Sequence, residues 1–242
     1  MNWKIVACEI FREEIRHLME KHRLEIPAVF LEIASHNDTN RLRTLLQEEI
    51  RRTGPEVTHI LLFYGLCGNG TAGLSSRDHT LVIPRAHDCC TVLLGSRSRF
   101  QECFGENLSA AWTSNMYFRK KGWDSTSDSR GQESLGLNLS LEEYTALYGE
   151  ENGAFLYETL KPKESAEVIF IRIPETENRE IEEEVRTLAE EHRRDFRLIT
   201  GSLNLLEKAL TGTWDGDFLT VPPGQSVQPS WDEDVMTGKT DE

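Results

Sequence analysis

The sequence lacks an apolar run long enough to cross a membrane, and it is short of positive charge. No apolar stretch approaches the roughly 18 residues that a membrane span requires. Only 27 Lys and Arg accompany 41 Asp and Glu, so the 242 residues carry a formal net charge of −14. Nucleic acids and anionic bilayers bind proteins through Lys and Arg. We therefore expect neither nucleic acid nor membrane as the main partner.

Cysteine is scarce and irregularly spaced. The chain has five cysteines, an odd number, and no two of them form a CxxC pair. These features disfavour a secreted disulfide framework and a structural zinc-finger site. The chain opens on Met1-Asn-Trp-Lys4 and passes directly into an apolar run, without a secretory signal. We therefore predict a cytoplasmic protein in which some of the thiols take part in chemistry.

Apolar runs alternate with amphipathic stretches, first in the N-terminal part of the chain and again in the C-terminal part. Strand-like runs precede stretches of helical periodicity, and the N-terminal order is β-α-β-α-β. This order is typical of a parallel sheet with helices on its faces. The predicted fold class is α/β, with a parallel-sheet Rossmann-like N-terminal unit and a second smaller α/β unit.

The composition divides the chain into three segments. Residues 1–104 are predicted to form the N-terminal α/β unit, 105–224 the second α/β unit, and 225–242 a flexible acidic tail after Pro222-Pro-Gly224. The second unit is expected to contain a short strand at Met116-Tyr-Phe118 and to end with a strand over 217–221.

Each of the four N-terminal strand-like runs is followed by a thiol or an imidazole. The residues concerned are Cys8, His36, Cys67, and His87 with Cys89 in the run Pro84-Arg-Ala-His-Asp-Cys-Cys90. Ligands collect beyond the carboxyl ends of parallel strands, which lie about 4.8 Å apart. The pattern therefore predicts an open, functional metal site at this edge, whereas Cys90 and Cys103 are predicted to be structural. The alternative for Cys8 alone is an inert core thiol.

Cys67 lies in a segment that we call the glycine turn, Gly65-Leu-Cys-Gly-Asn-Gly-Thr-Ala-Gly73. Glycine lets the backbone approach a ligand closely, so Gly68, Asn69 and Gly70 are candidate cofactor-binding residues. The segment also matches GxGxxG, but the next strand follows without room for the helix that a dinucleotide site requires. Neither NAD nor flavin is expected.

The candidate catalytic residues lie in the segment that precedes Cys89, and they are Arg85, His87 and Asp88. Arg85 could hold a carboxylate or phosphate, although an Arg at a strand end is as often a surface ion pair. His87 and Asp88 stand beside Cys89, near the expected start of a helix. The helix dipole there is expected to lower the pKa of the Cys89 thiol.

A second chemistry is open to the same residues. A Cys–His catalytic pair could take Cys67 or Cys89 as the nucleophile and His36 or His87 as the base. An acyl or methyl group would then pass to the thiolate.

These motifs together resemble a known family, the domain-of-unknown-function family sixteen-thirty-eight of bacteria and archaea. The resemblance covers nearly all of 1–224 and rests on Ala7-Cys-Glu9, Tyr64-Gly-Leu-Cys-Gly-Asn-Gly70, Ile83-Pro-Arg-Ala-His-Asp-Cys89, Leu93-Leu-Gly-Ser96 and the ending 212–224. It implies an association with corrinoid-dependent methyl-transfer systems, whose zinc methyltransferases hold the metal with Cys and His. It also supports Cys8, Cys67 and Cys89 as one set, with His36 or His87 as a fourth ligand.

The leading hypothesis is a metal-dependent enzyme that acts on a small-molecule substrate. Zinc would activate a thiol or water for methyl or group transfer, with a corrinoid protein or methyltransferase as partner. A four-iron–four-sulfur cluster held by three cysteines would instead serve a non-redox lyase or sulfur-transfer enzyme. Two further alternatives are a non-catalytic protein that carries a metal or corrinoid, and an α/β protein that binds a small molecule without metal.

Overall fold

The computed structural model describes residues 2–33, 39–105, 110–122, 140–160, 166–230, 232 and 234–240. The strands within this part are β1 (Trp3–Cys8), β2 (Ala28–Leu31), β3 (His59–Phe63), β4 (Thr80–Pro84), β5 (Ala111–Thr113), β6 (Glu167–Arg172), β7 (Asp195–Thr200), β8 (Phe218–Val221), β9 (Gln225–Pro229) and β10 (Met236–Thr240). The α-helices are α1 (Arg12–Lys21), α2 (Thr39–Arg51), α3 (Cys89–Leu94), α4 (Arg97–Phe104), α5 (Asn115–Lys121), α6 (Leu141–Tyr148), α7 (Glu150–Leu160), α8 (Arg179–Glu191) and α9 (Asn204–Thr211). Short 3-10 helices span Glu9–Phe11 and Pro174–Thr176. The α/β fold class predicted from the sequence is confirmed.

The first sheet has five strands in the order β2-β1-β3-β4-β8, and its first four strands are parallel. Residues 5–8 of β1 and 60–63 of β3 are almost completely buried, as expected for strands covered on both faces. The chain passes from β1 outward to β2 and then back across β1 to β3. The direction of winding therefore reverses between β1 and β3, at the position where open α/β sheets bind ligands.

The last strand of the first sheet comes from the far end of the chain. The sequence predicted that residues 217–221 complete the second unit, and this prediction is wrong. β8 pairs antiparallel with β4, with Leu81 opposite Val221 and Pro84 opposite Phe218. Three of its four residues, Phe218, Leu219 and Val221, are buried in the main core, and only Thr220 is exposed.

The second sheet is parallel and has the order β5-β6-β7. Alternate residues of β6 serve two cores, as the two-residue period of a strand requires. Val168 and Phe170 pack with Ile181 and Val185 of α8, whereas the odd-numbered residues 169 and 171 join the core of the first sheet. The second unit therefore shares one continuous core with the first.

The predicted strand at 116–118 is instead part of α5, and the strand lies just before it at 111–113. Ser114 has an extended backbone at the helix N-cap, and Gly122 ends the helix with a φ of 73°. The apolar run was too short for its period to distinguish a strand from two turns of helix. A capping box formed by Ser140 and Glu143 begins α6.

Residues predicted to form a loose acidic tail form an antiparallel hairpin of β9 and β10. Val227, Val235 and Met236 of this hairpin are buried in the main core. The guanidinium of Arg85 donates to the carbonyl oxygens of Phe218, Asp234 and Met236. Apolar burial and this arginine therefore tie the hairpin to the end of β4.

Among the described residues, no helix is both long and apolar enough to span a bilayer.

Candidate metal centre

Three adjacent parallel strands place three thiols at one edge of the first sheet. Cys8 is the last residue of β1, Cys67 follows β3 in the glycine turn, and Cys89 follows β4 as the first residue of α3. Because β1, β3 and β4 are consecutive neighbours, their carboxyl ends converge. The position is also the winding reversal between β1 and β3, where a ligand is expected.

The three thiols are in contact. Cys89 forms hydrogen bonds with both Cys67 and Cys8, and these bonds, followed by burial, raise the pKa of Cys89 well above its ordinary value. The expectation that the helix dipole lowers this pKa is therefore wrong. The helix α3 has only six residues, and the effect of its N-terminus on the pKa of Cys89 is smaller than the opposite effect of the two neighbouring sulfurs and of burial.

Access to the cluster lies on the side of Cys67. Cys8 is 0% exposed and Cys89 is 6% exposed, whereas Cys67 is half-buried. Tyr64 is fully buried beside the thiols, and burial first, then the charges of Cys8 and Cys89, raise its pKa. The cluster is thus a buried group of thiols with one partly accessible member.

Cys67 has an unusual backbone. Cys67, Gly68 and Asn69 have φ values of 48°, 62° and 69°, so three successive residues are left-handed. For non-glycine residues this conformation costs about 1–2 kcal/mol each. The turn is held in place because Cys67 N–H donates to the carbonyl of His87 at 2.9 Å. Strain retained in this way is typical of functional sites.

Gly65 allows the glycine turn to approach the segment after β4. A Cβ at this position would lie 2.6 Å from the backbone nitrogen of Asp88 and 2.8 Å from the carbonyl oxygen of Ala86. Leu66 N–H then donates to that same carbonyl at 2.8 Å. This close approach brings Cys67 within reach of Cys89.

The other residues predicted for the site have varied positions. The side chain of His87 is exposed. Asp88 is the N-cap of α3 and accepts hydrogen bonds from the N–H and hydroxyl of Thr91, both at 2.9 Å. Arg85 is partly buried, donates to the carbonyl oxygens of Asp234 and Met236 in the hairpin, and lies 3.8 Å from the Asp234 carboxylate. His36 lies outside the described residues.

The three candidate cofactor-binding residues lie on the outer part of the glycine turn. Gly68 and Asn69 are exposed, whereas Gly70 is buried against Leu42. The Asn69 carbonyl accepts a hydrogen bond from Arg43 of α2 at 2.8 Å. Residues 71–79, all of them described, lead from the turn into β4 without a helix.

The sequence argument missed a charged residue next to Cys8 and the lysine that pairs with it. Glu9 directly follows Cys8 and is buried, accepting from Ile33 N–H at 2.9 Å and pairing with Lys120 of α5 at 3.0 Å. Burial opposes its ionisation, but these two contacts outweigh burial and lower the pKa of Glu9. The position of Glu9 after Cys8 was a usable signal, whereas nothing local indicates Lys120.

The remaining cysteines form a separate pair. Cys90 is buried near Asp88 and Cys103, and burial is the main cause that raises its pKa. All five cysteines are free thiols. Cys90 therefore lies near Cys103, whereas Cys89, the preceding residue of α3, contacts Cys8 and Cys67.

The donor set suits a thiophilic metal, because sulfur ligands select zinc and iron–sulfur clusters. As the side chains stand, no group of three or more His, Cys, Asp or Glu residues in the described part of the chain has a metal-holding arrangement. The sulfurs instead hydrogen-bond one another. Metal binding would replace these thiol protons and reorient the side chains, as expected when ligands must be deprotonated.

The chain is similar to a known protein family. No curated protein and no solved structure matches it. A family model described as protein of unknown function (DUF1638) matches residues 30–210. The matched range includes the glycine turn and Cys89 and begins after Cys8, so it is narrower than the resemblance seen in the motifs. Since the match extends over most of the sequence, the chain belongs to the DUF1638 family.

Proposed function

We propose that this protein is an enzyme with one metal centre held by Cys8, Cys67 and Cys89. The observation that carries the proposal is the contact of Cys89 with both other thiols at the winding reversal of a parallel sheet. The metal is zinc or a four-iron–four-sulfur cluster. With three protein ligands, either leaves a position open, where zinc would activate a thiol or water and a cluster iron would act as a Lewis acid.

The residues around the thiols supply the rest of the site. The raised pKa of Tyr64 keeps its phenol protonated, so that it can donate a hydrogen bond near the sulfurs. The half-buried Cys67 marks the side from which a small molecule arrives. Lys120 brings a positive charge from the second unit to Glu9, next to Cys8. The second unit thus helps to enclose the edge.

The reaction that we propose is methyl or other group transfer linked to corrinoid one-carbon metabolism, with a corrinoid protein or methyltransferase as partner. This part is supported by the family resemblance alone. A cytoplasmic location fits five free thiols, since reducing compartments preserve them. Burial of Cys8 and Cys89 favours an enzyme over a metal carrier, because a carrier must expose its cargo for transfer.

The first test is anaerobic purification followed by metal and sulfide analysis and an absorption spectrum. Stoichiometric zinc without colour would select the zinc centre, and iron with sulfide and broad visible absorbance would select the cluster. For a zinc protein, the spectrum of the Co²⁺-substituted form should change when a small thiol is added to the open position. A folded protein without metal, which also binds none on reconstitution, would contradict the proposal.

The second test compares two cysteines of similar exposure. Cys67→Ala should abolish metal retention, because it removes one of three ligands, whereas Cys103→Ala should leave retention intact. Both side chains are partly exposed, so the pair controls for general thiol reactivity. Equal retention in the two variants would show that Cys67 is not a ligand.

A further inference from the structure

A cavity of about 770 Å³ lies between α2 and the segment of residues 73–79 that precedes β4. Its volume is within the range of small-molecule sites, roughly 300–1,000 Å³. One end reaches Arg43, near the glycine turn, and the other reaches Thr53 and His79. The cavity is distinct from the three thiols, none of which lines it.

The lining of the cavity is positively charged in a strongly acidic protein. Arg43, Arg51 and Arg77 contribute to the walls, against the single carboxylate of Asp78. The chain as a whole has a net charge of −14, so this local excess of arginine runs against its composition. Guanidinium groups bind carboxylates and phosphates through paired hydrogen bonds. Residues with hydroxyl or amide side chains complete the lining, namely Thr44, Gln47, Thr53, Ser75 and Ser76.

Two of the arginines are available to a ligand. Arg51 and Arg77 are exposed, and neither forms an ion pair or side-chain hydrogen bond with the described part of the chain. Arg52, which directly follows the last residue of α2, pairs instead with Glu48 and Glu49, both at 3.2 Å. The helix therefore directs one arginine to acids on its own surface and leaves its neighbour at the cavity.

The walls of the cavity are already joined. The Gln47 side chain donates to the Ser75 carbonyl at 2.9 Å and accepts from its N–H at 3.2 Å, which links α2 to the opposite segment. Behind that segment, Gly73 N–H donates to the Val227 carbonyl at 2.7 Å in β9. A site fixed in this way loses little conformational freedom when a ligand binds.

We propose that this cavity binds a small polyanion, a ligand with two or more phosphate or carboxylate groups that Arg51 and Arg77 contact from opposite walls. The site is separate from the proposed metal centre and does not depend on it. Arg43 also lines the cavity, but its guanidinium already donates a hydrogen bond to the Asn69 carbonyl of the glycine turn.

The test is isothermal titration calorimetry with pyrophosphate and with citrate as probes at low ionic strength. Arg77→Gln and Arg51→Gln should each weaken binding about tenfold, the effect of losing a charged hydrogen bond. Arg52→Gln removes the same charge from the next residue, which does not line the cavity, and should change affinity less than about twofold. Preference for one probe over the other distinguishes a phosphate site from a carboxylate site.

Three outcomes would overturn the proposal. One is the absence of measurable binding of both probes to the unmodified protein. The second is an equal loss of affinity in all three arginine variants, which would show that the probes respond to the overall charge of the protein and not to the cavity. Cys67→Ala should retain binding of both probes. The third outcome is a loss of binding in this variant, which would show that the probes bind a metal at the thiols and not the cavity. Thermal unfolding of each variant verifies that these exposed substitutions leave the fold intact.

Discussion

At the scale of single residues, the site depends on one position where a side chain has no room. Gly65 lies so close to the backbone of Ala86 and Asp88 that any Cβ would have to displace it. The neighbouring Cys67 carries a left-handed backbone that its own chemistry does not favour. Proximity between Cys67 and Cys89 thus rests on backbone contacts as well as on the sulfurs.

We predict that Gly65→Ala lowers the free energy of unfolding by about 2 kcal/mol, the usual cost of forcing an extra methyl into a packed site. Urea denaturation measures this difference. The control is Gly216→Ala, since a Cβ at residue 216 meets no atom within 4 Å. Similar stability in the two variants would contradict the close approach of the turn to the segment after β4.

At the scale of elements, the local hydrophobic pattern predicted much of the fold. The pairing of strands that are distant in sequence could not be predicted from that pattern. The position of the three thiols at one edge of the sheet could be predicted, because the carboxyl ends of parallel strands lie at the same edge whatever the order of the strands. The partner of β8 could not, because strand periodicity says which face is buried and not which strand is adjacent. The β9–β10 hairpin was missed for a related reason, since Arg85 and the main core that hold it are distant in sequence.

We predict that Arg85→Gln loosens this hairpin. The arginine donates to the carbonyls of Asp234 and Met236, and losing about 1.5 kcal/mol of charged hydrogen bonding should speed local opening about tenfold. Hydrogen exchange of the amides of β9 and β10 measures the effect. Arg179→Gln, which removes an exposed arginine paired with Glu177, should leave these amides unchanged. Unaltered hydrogen exchange of these amides in Arg85→Gln would show that Arg85 does not stabilise the hairpin.

At the scale of the whole molecule, a buried carboxyl joins the two units. Glu14 of α1 accepts a hydrogen bond from the Thr176 hydroxyl at 2.9 Å, and the Thr176 carbonyl accepts from Asn115 at 2.6 Å. Burial, aided by the charge of Glu13, raises the pKa of Glu14 from 4.5 to about 7. Ion pairs between Glu13 and Arg119 and between Glu9 and Lys120 border this junction.

We predict that Glu14 makes the protein less stable as the pH rises. The folded state favours protonated Glu14, so its favourable contribution is complete below about pH 4.5 and is lost as the pH rises to about 7. The loss amounts to at most about 3 kcal/mol. Glu14→Gln removes this component, and its stability relative to the unmodified protein should therefore increase between pH 5 and pH 8. Urea unfolding at both values measures the change.

The matched control for this measurement is Glu20→Gln, an exposed position on the same helix. It makes the same chemical change outside the junction and should leave the pH dependence of unfolding as it is in the unmodified protein. If Glu14→Gln also retains that dependence, another group is responsible for it.

The place of β8 affects how the protein is made. During synthesis from the N-terminus, β4 is complete long before residues 218–221 leave the ribosome, because the entire second sheet is translated between them. Until then one edge of the first sheet offers unpaired backbone N–H and carbonyl groups, which can pair with another chain. A nascent chain of this protein is therefore most prone to aggregate just before its last strands appear, and a product cut short before residue 218 keeps that open edge permanently.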